Sequence, residues 1–344
     1  MNTWLALAEQ SPKFWGGFRF PLFTGLIALV ITWGLTPLVR SLAFKYGAVD
    51  DPKRDDRRIH KEPLPRWGGI AIFLGIAVAI LAILPFAYPK TNPYPIYLVG
   101  TLIIGALLVV AGVLDDLFQY SAKVQLLILL AAGVAIQYFA GSLGVVQIRS
   151  IGNPFNDGYW VFPFWAAVPL TAIYIFVVTK TMDTIDGVDG LASGIAAISA
   201  GTLMVIAVYE GQPRVAIIAA AIGGACIGFL RHNYNPAKII MGTGGAYILG
   251  FMLACLSIVG AVKTAAALTL IIPIFVFGVP IFDAIQVVIR RKLSGVPITQ
   301  ADKRHLHHQL LKKGLTQRQT VLVLYLAAAA LCGTLIFIIL RNNG

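Results

Sequence analysis

The sequence predicts an all-α fold: a polytopic membrane bundle of ten or eleven transmembrane helices, one domain over 1–344, with polar loops on the cytoplasmic side. Three observations predict it. Of 344 residues, 58% are hydrophobic and 12% charged, where a soluble domain keeps about a quarter of its residues charged. The mean hydropathy is +0.80. The chain also divides into successive apolar runs of about 18–25 residues, the length that crosses a hydrocarbon core as helix.

Taken in order, the runs place spans at roughly 18–40, 68–88, 96–114, 123–141, 161–180, 188–208, 214–230, 244–262, 265–289 and 319–340. The first lacks a small-residue cleavage site and reads as a retained span. The arm before it carries Trp4, Phe14 and Trp15, aromatics suited to a membrane interface. Cys226, Cys255 and Cys332 lie inside apolar runs without metal-like spacing and read as core residues.

Lys and Arg set the orientation. Of 27 basic residues, 20 fall in or beside the odd-numbered connections. The positive-inside rule makes that side cytoplasmic and puts both termini outside. The net charge of +12 is mostly this loop bias. It borders membrane, so anionic lipid and phosphate substrates fit it and nucleic acid is not an expected partner.

Almost every unusual polar residue then falls on one side. The first such loop is DDPKRDDRRIHKEPLPRWGG and the second is LDDLFQYSAK, with Asp115, Asp116 and Lys123. The third is TKTMDTIDGVDGLASG, the fourth RHNYNPAKIIMGTGG, and the fifth RRKLSGVPITQADKRHLHHQLLKKG. A transporter would more often place ionisable residues and broken helices near mid-membrane. A polar cluster at one face suits an active site open to the cytoplasm.

Asp115 and Asp116 end a span side by side, where like charges repel and a helix C-terminus disfavours anions. A divalent cation or a protonated partner relieves both problems. Asp183, Asp186 and Asp189 would stand within a turn or so of one another if helical, and Gly187 and Gly190 permit close backbone approach to a ligand. His305, His307 and His308 lack the i, i+4 spacing of a helical zinc pair. Lys303 and Arg304 precede them, which suits phosphate rather than metal. His60, in a loop with Arg57, Arg58 and Lys61, points the same way. Asp283 is an intramembrane acid, functional by default, with pairing to Arg290 or Arg291 an equally good account. Acids for a hard divalent ion, bases for phosphates and a membrane setting suggest phosphoryl transfer involving a lipid.

The same motifs resemble a known family, in order along essentially the whole chain. They are D-D-P…R-R-I-H…P-R-W-G-G from Asp50, L-D-D from Leu114, I-D-G-V-D-G-L from Ile185, N-Y-N-P-A-K-I-I-M-G from Asn233 and H-L-H-H from His305. The chain is similar to the polyprenyl-phosphate N-acetylhexosamine-1-phosphate transferases. Its last loop is closer to the branch that starts O-antigen, enterobacterial common antigen or teichoic-acid linkage units, mostly from UDP-GlcNAc. The resemblance implies a bacterial plasma-membrane enzyme using Mg²⁺ (Mn²⁺ as an alternative), a UDP-N-acetylhexosamine donor and a polyprenyl phosphate acceptor. A homodimer is left open.

By resemblance, Asp115 and Asp116 match the family's paired aspartates, which activate the lipid phosphate or help hold the metal. Asp186 and Asp189 match the D-G-x-D-G acids, the second near the uracil. Asn233 lies near the nucleotide, and His305, His307 and His308 face phosphates. Lys123, His60 and Lys303 are assigned with the substrate-binding set.

Two positions depart from the pattern, and both are the family's metal-ligand positions. Asp183 replaces the Asn of Asn-x-x-Asp-Gly, and Thr243 replaces the Asp of Met-Gly-Asp. The changes run in opposite directions, so one anionic and one neutral oxygen remain. The expectation is a charge-preserving swap, with the metal moved slightly toward Asp183. The rival expectations are a catalytically silent paralogue that still binds nucleotide-sugar or lipid phosphate, and a transporter of a lipid-linked sugar.

Overall fold

A computed structural model describes residues 11–50, 62–87, 95–141, 144–152, 158–261, 268–295 and 305–342. The helices, in chain order, are α1 (Ser11–Lys45), α2 (Gly68–Ala87), α3 (Ile96–Phe118), α4 (Ala122–Ala135), α5 (Phe164–Ile185) and α6 (Leu191–Tyr209). There follow α7 (Pro213–Asn233), α8 (Gly242–Ala261), α9 (Leu268–Val276), α10 (Gly278–Leu293), α11 (Leu306–Lys312) and α12 (Gln317–Asn342). Two short antiparallel ladders join loops: β1 (Val49–Asp50) with β2 (Leu64–Pro65), and β3 (Ser150–Gly152) with β4 (Tyr159–Val161).

Among the described residues, eight helices are long and apolar enough to cross a membrane: α1, α2, α3, α5, α6, α7, α8 and α12. Two further expected spans are helical but fall outside that set. The run at 123–141 forms only α4 and a closing 3₁₀ turn, Ile136–Tyr138. The run at 265–289 divides at Phe277 into α9 and α10. Pro280 accounts for the division, because it has no N–H to donate to Val276 and its ring would crowd that carbonyl in a continuous helix. In the first turn of a new helix the same proline is tolerated.

Helix α8 is the axis of the bundle. Nearly all of its apolar window is buried, and it packs against α2, α3, α5, α6, α7 and α9. Its first turn meets α3 backbone to backbone: a Cβ on Gly112 would collide with Gly244. Small residues allow such approach where lipid supplies no hydrophobic drive between helices. At the rim, α1 packs on α7 and α2 and leaves Leu22, Phe23 and Leu26 exposed, as a lipid-facing surface would. Cys226, Cys255 and Cys332 are buried free thiols.

The chain reversals bring the C-terminal ends of α3 and α5 to the same end of the bundle as the N-terminal end of α8. Among the described residues, Asp50, the L-D-D motif and the D-G-V-D-G motif then lie at one end. Tyr97, at the other end of α3, stands about 27 Å from Asp115, from 18 residues at roughly 1.5 Å each.

Candidate active site

Two motifs distant in sequence are zipped by their backbones. Ile240 N–H donates to Pro65 O at 2.9 Å, Gly68 N–H to Ile240 O at 3.2 Å and Gly69 N–H to Met241 O at 2.9 Å. The P-R-W-G-G and K-I-I-M-G segments are thus one unit. Gly242 turns the chain at φ +73°, and a Cβ there would overlap the Arg66 carbonyl and crowd Asp116. The turn aims Thr243 at α3. Its N–H and its hydroxyl both donate to Asp116 Oδ1, at 3.2 and 3.1 Å.

Arg66 is the cation of this unit. Its Nε lies 3.1 Å from the same Asp116 oxygen, and its Nη1 lies 3.3 Å from Asp50. Burial alone would lower the guanidinium pKa, but Asp116, Asp50, Asp186 and Asp115 together raise it. Arg66 therefore stays charged inside an acidic cluster.

Asp115 has different company. Its Oδ1 accepts from Tyr120 N–H at 2.8 Å and from Gln125 Nε2 at 3.1 Å. Lys180 then bridges to the third motif, donating to Gln125 Oε1 at 2.8 Å and to Asp183 Oδ2 at 2.6 Å. A chain of polar contacts thus links the L-D-D motif to Asp183, one of the two departing positions.

Helix α5 ends at Ile185, with Asp186 as its C-cap, and Gly190 at φ +80° opens α6. Asp183, Asp186 and Asp189 therefore do not share one continuous helix, a correction to the helical reading. The glycines explain it, because left-handed backbone at Gly190 breaks the helix. Asp186 caps the turn partly exposed. Burial among protein atoms pushes its carboxyl up to about 8; Asp183 pushes the same way, Arg66 opposes, and Asp116 and Asp189 add to the rise.

Asp189 and Asn233 are tied into the protein itself. Asp189 Oδ2 accepts from Asn235 Nδ2 at 2.9 Å and Ala237 N–H at 3.1 Å. Asn233, buried, accepts from Gly190 N–H and Ser193 Oγ and donates to Ile239 O. It clamps the D-G-V-D-G turn to the K-I-I-M-G segment. Tyr325 of α12 closes the turn from the far side, donating to Gly190 O at 2.5 Å.

The histidines arrive from α11. Asp283, buried in α10, accepts from His305 Nδ1 at 2.7 Å and from Leu306 N–H at 2.6 Å. The sequence offered Arg290 or Arg291 as partners for Asp283; the structure adds His305, which the sequence did not suggest. This clasp seats α11 so that His307, 2% exposed, lies on the D-G-V-D-G turn. A Cβ on Gly187 would come within 2.8 Å of His307 Nε2. His307 stacks on His305 and tilts against His308, with centroids 5.7 and 4.3 Å apart. Burial pushes its pKa down to about 3; His308 and His305 act the same way, and Asp283 opposes them. It is neutral at ordinary pH.

Asp115, Asp116, Asp183, Asp186, Asp189, Asn233, Thr243, His305, His307 and His308 all lie in this assembly. Lys123 stands exposed in the first turn of α4. His60 and Lys303 lie outside the described residues. The sequence reading left out Arg66, Gln125, Lys180 and Tyr247 from the site. Arg66 and Lys180 were hidden by composition, since each looked like one more positive-inside charge; their signal is proximity to a glycine-rich or acidic motif.

A hard divalent cation suits this donor set. Five aspartates face Arg66 and Lys180, and the Asp186 pKa, raised first by burial, is raised further by Asp183, Asp116 and Asp189. Tyr247 Oη is buried with no hydrogen-bond partner among the described residues, in the field of Asp183, Asp115 and Asp116. No three His, Cys, Asp or Glu side chains among the described residues form a ready coordination shell. Water and ligand oxygens would complete one, as Mg²⁺ commonly requires.

The sequence pattern of glycosyl transferase family 4 matches residues 98–261. A probable undecaprenyl-phosphate N-acetylglucosaminyl 1-phosphate transferase of Bacillus subtilis (strain 168) is 37% identical over 301 residues, covering 88% of this chain and 80% of that one. A decaprenyl-phosphate N-acetylglucosaminephosphotransferase of Mycolicibacterium smegmatis is 32% identical, over 88% of this chain and 78% of its own. An undecaprenyl-phosphate alpha-N-acetylglucosaminyl 1-phosphate transferase of Escherichia coli (strain K12) is 27% identical, over 85% and 77%. On the strength of that identity over most of its length, the chain belongs to glycosyl transferase family 4, among the polyprenyl-phosphate N-acetylhexosamine-1-phosphate transferases.

Proposed function

We propose that the protein transfers N-acetylhexosamine-1-phosphate, GlcNAc-1-phosphate first among them, from a UDP-sugar to undecaprenyl or another polyprenyl phosphate. UMP is the second product, and the step would begin a cell-envelope polysaccharide. The observation that carries this reading is the convergence of Asp115, Asp116, Asp183 and Asp186 with Arg66, Lys180 and His307 at one end of a membrane bundle. With 20 of 27 basic residues on the connections of that end, the site faces the cytoplasm and both termini lie outside.

In this reading a lipid phosphate oxygen attacks the phosphorus that bears the sugar. The bond from that phosphorus to the bridging oxygen breaks, and the electron pair leaves with UMP. The nucleophile is anionic near neutral pH, so the protein has more to do in positioning and charge balance than in proton removal. Arg66 and Lys180 offset phosphate charge, and His305, His307 and His308 border the pyrophosphate. Asp189 and Asn233 fix the turn against which the nucleotide rests. Asp183, Asp186, Asp116 and the Thr243 hydroxyl would hold Mg²⁺ or Mn²⁺. When bound, that ion supplies neutralisation of the pyrophosphate and the leaving UMP.

Purified membranes incubated with labelled UDP-GlcNAc and undecaprenyl phosphate should release UMP and form a lipid-linked product only with Mg²⁺ or Mn²⁺. No product with any UDP-N-acetylhexosamine would sink the reading. A second reading, a silent relative that binds without turnover, is favoured by one observation: Asp183 and Thr243 already pair with Lys180 and Asp116. Saturable uridine-nucleotide binding without UMP release would select it.

A further inference from the structure

The two cations among the acids are held differently. Arg66 lies between two carboxylates, 3.1 Å from Asp116 Oδ1 and 3.3 Å from Asp50. Lys180 has one carboxylate partner among the described residues, Asp183, with Nζ 2.6 Å from Oδ2. The pair forms within α5 itself, because side chains three residues apart on a helix are neighbours. Lys180 also donates to Gln125 Oε1 at 2.8 Å, and Gln125 Nε2 donates to both oxygens of Asp115, at 3.1 and 3.2 Å.

The ammonium stands where a divalent cation would need the same oxygen. Mg²⁺ takes oxygen ligands at about 2.0–2.1 Å, and two positive centres on one carboxylate oxygen repel in a partly buried site. While the pair persists, Asp183 and Lys180 together bring no net charge. Thr243 brings none either, and its hydroxyl is engaged by Asp116 Oδ1. A charge-preserving swap between positions 183 and 243 therefore requires Lys180 to leave Asp183.

Lys180 is built to leave. Its side chain is 33% exposed, and a lysine stem is flexible where an arginine fork is not. Arg66, fixed on both sides, has no such freedom. A buried polar group also waits beside the acids. Tyr247 is 1% exposed, and its Oη has no hydrogen-bond partner among the described residues, in the field of Asp183, Asp115 and Asp116. Water carried by an ion at Asp183 would supply that partner.

We propose that Lys180 is the resident counter-ion of Asp183 and competes with the divalent cation for it, an inference that rests on the reading of Asp183 as a ligand of Mg²⁺ or Mn²⁺. The ion and the Lys180–Asp183 pair are then mutually exclusive, and Lys180 sets the concentration at which the ion binds. Once displaced, its ammonium is free to meet a phosphate oxygen, and Gln125 passes the change to Asp115. A permanent pair would instead block Asp183, as in a relative that binds without turnover.

The test is run without donor or acceptor, so its outcome does not depend on UMP release. Mn²⁺ is titrated into the purified full-length protein in detergent, with free Mn²⁺ followed by electron paramagnetic resonance. Lys180→Met should bind Mn²⁺ roughly tenfold or more tighter than the parent, and Lys180→Arg, which keeps a cation at Asp183, should show no such gain. In an Asp183→Asn background, Lys180→Met should change binding by no more than about twofold. On the unaltered protein, excess Mg²⁺ should speed acetylation of Lys180 roughly threefold or more relative to exposed Lys123, read by mass spectrometry. Equal or weaker Mn²⁺ binding by Lys180→Met would overturn the proposal, as would the same gain in both backgrounds or Mg²⁺-independent labelling of Lys180. Mn²⁺ binding untouched by Asp183→Asn would overturn the ligand reading and the competition together. The expected Mn²⁺ pattern without UMP release would sink only the transferase reading and leave the competition standing.

Discussion

The two ends of this bundle use polar residues in opposite ways. At the acidic end they are dense and mostly bonded to one another: Asp116 to Thr243 and Arg66, Asp115 to Gln125, Asp189 to Asn235, Asp283 to His305. At the other end they are sparse and ring an apolar space. Dense pairing holds a rigid frame, so the groups left over mark where chemistry is available. At the acidic end, among the described residues, those include Asp186 and the Tyr247 hydroxyl. The apolar space has no Asp or Glu among its lining residues and so lacks the makings of a reaction.

The largest expected effect would break this contrast if it failed to appear. Asp116→Ala removes the acceptor shared by Thr243 and Arg66, and UMP release should fall on the order of 10²–10⁴-fold. Arg149→Gln at the other end should leave it within about twofold, inside the span of surface substitutions. Comparable losses at both ends would erase the distinction.

The departing positions sharpen it next. Thr243→Asp alone would set a second carboxylate against Asp116 Oδ1, a repulsion that only a cation relieves. Asp183→Asn alone would leave Lys180 with a neutral partner. Each single change should cost activity, roughly tenfold or more, and the double change should restore most of it. If Asp183→Asn alone left turnover untouched, the charge-preserving swap would be wrong.

Within the histidine loop, Asp283→Ala should free α11 from α10. Asp283→Asn keeps an acceptor for Leu306 N–H and loses only the charge facing His305. We expect losses of about tenfold for Ala and less for Asn, falling on the donor KM more than on kcat. Equal losses for both would mean the carboxylate charge, not the clasp, is what matters.

The smallest effect is one of pH. His307 has a folded pKa near 3, below its ordinary 6.5. Between those values the unfolded chain binds a proton that the folded one refuses. Its contribution is therefore fully present above 6.5 and is lost as pH falls toward 3. Between pH 7 and pH 5 the melting temperature in detergent should shift less favourably for the parent than for His307→Gln, which lacks this loss. Asp186 works in the opposite sense, since its raised pKa favours the folded state as pH falls through about 8, so the comparison is between variant and parent at each pH.

Much was legible beforehand because hydropathy and motif order are local properties. The apolar runs at 68–88, 96–114, 188–208 and 244–262 correspond closely to α2, α3, α6 and α8. The five motifs and the acids, Asn and Thr within them were readable because Asp and His are rare in such surroundings. What hydropathy could not see was where a run breaks: an average over 265–289 does not register Pro280, and the run at 123–141 looked long enough while folding into the short α4.

By itself, then, the sequence determined that this chain spans a membrane many times and gathers its acids at one end. Membrane spans follow from the length and apolarity of contiguous residues, and the loop bias follows from counting charges. Only the tertiary structure decided the pairings. That Thr243 meets Asp116, that Asp183 is held by Lys180 and that Asp283 grips His305 depends on contacts between residues 22 to 127 positions apart, or on which face of one helix turn is inward. Such pairings are chosen by the packing of α3, α5, α8 and α10 around one axis, and no local pattern carries that information.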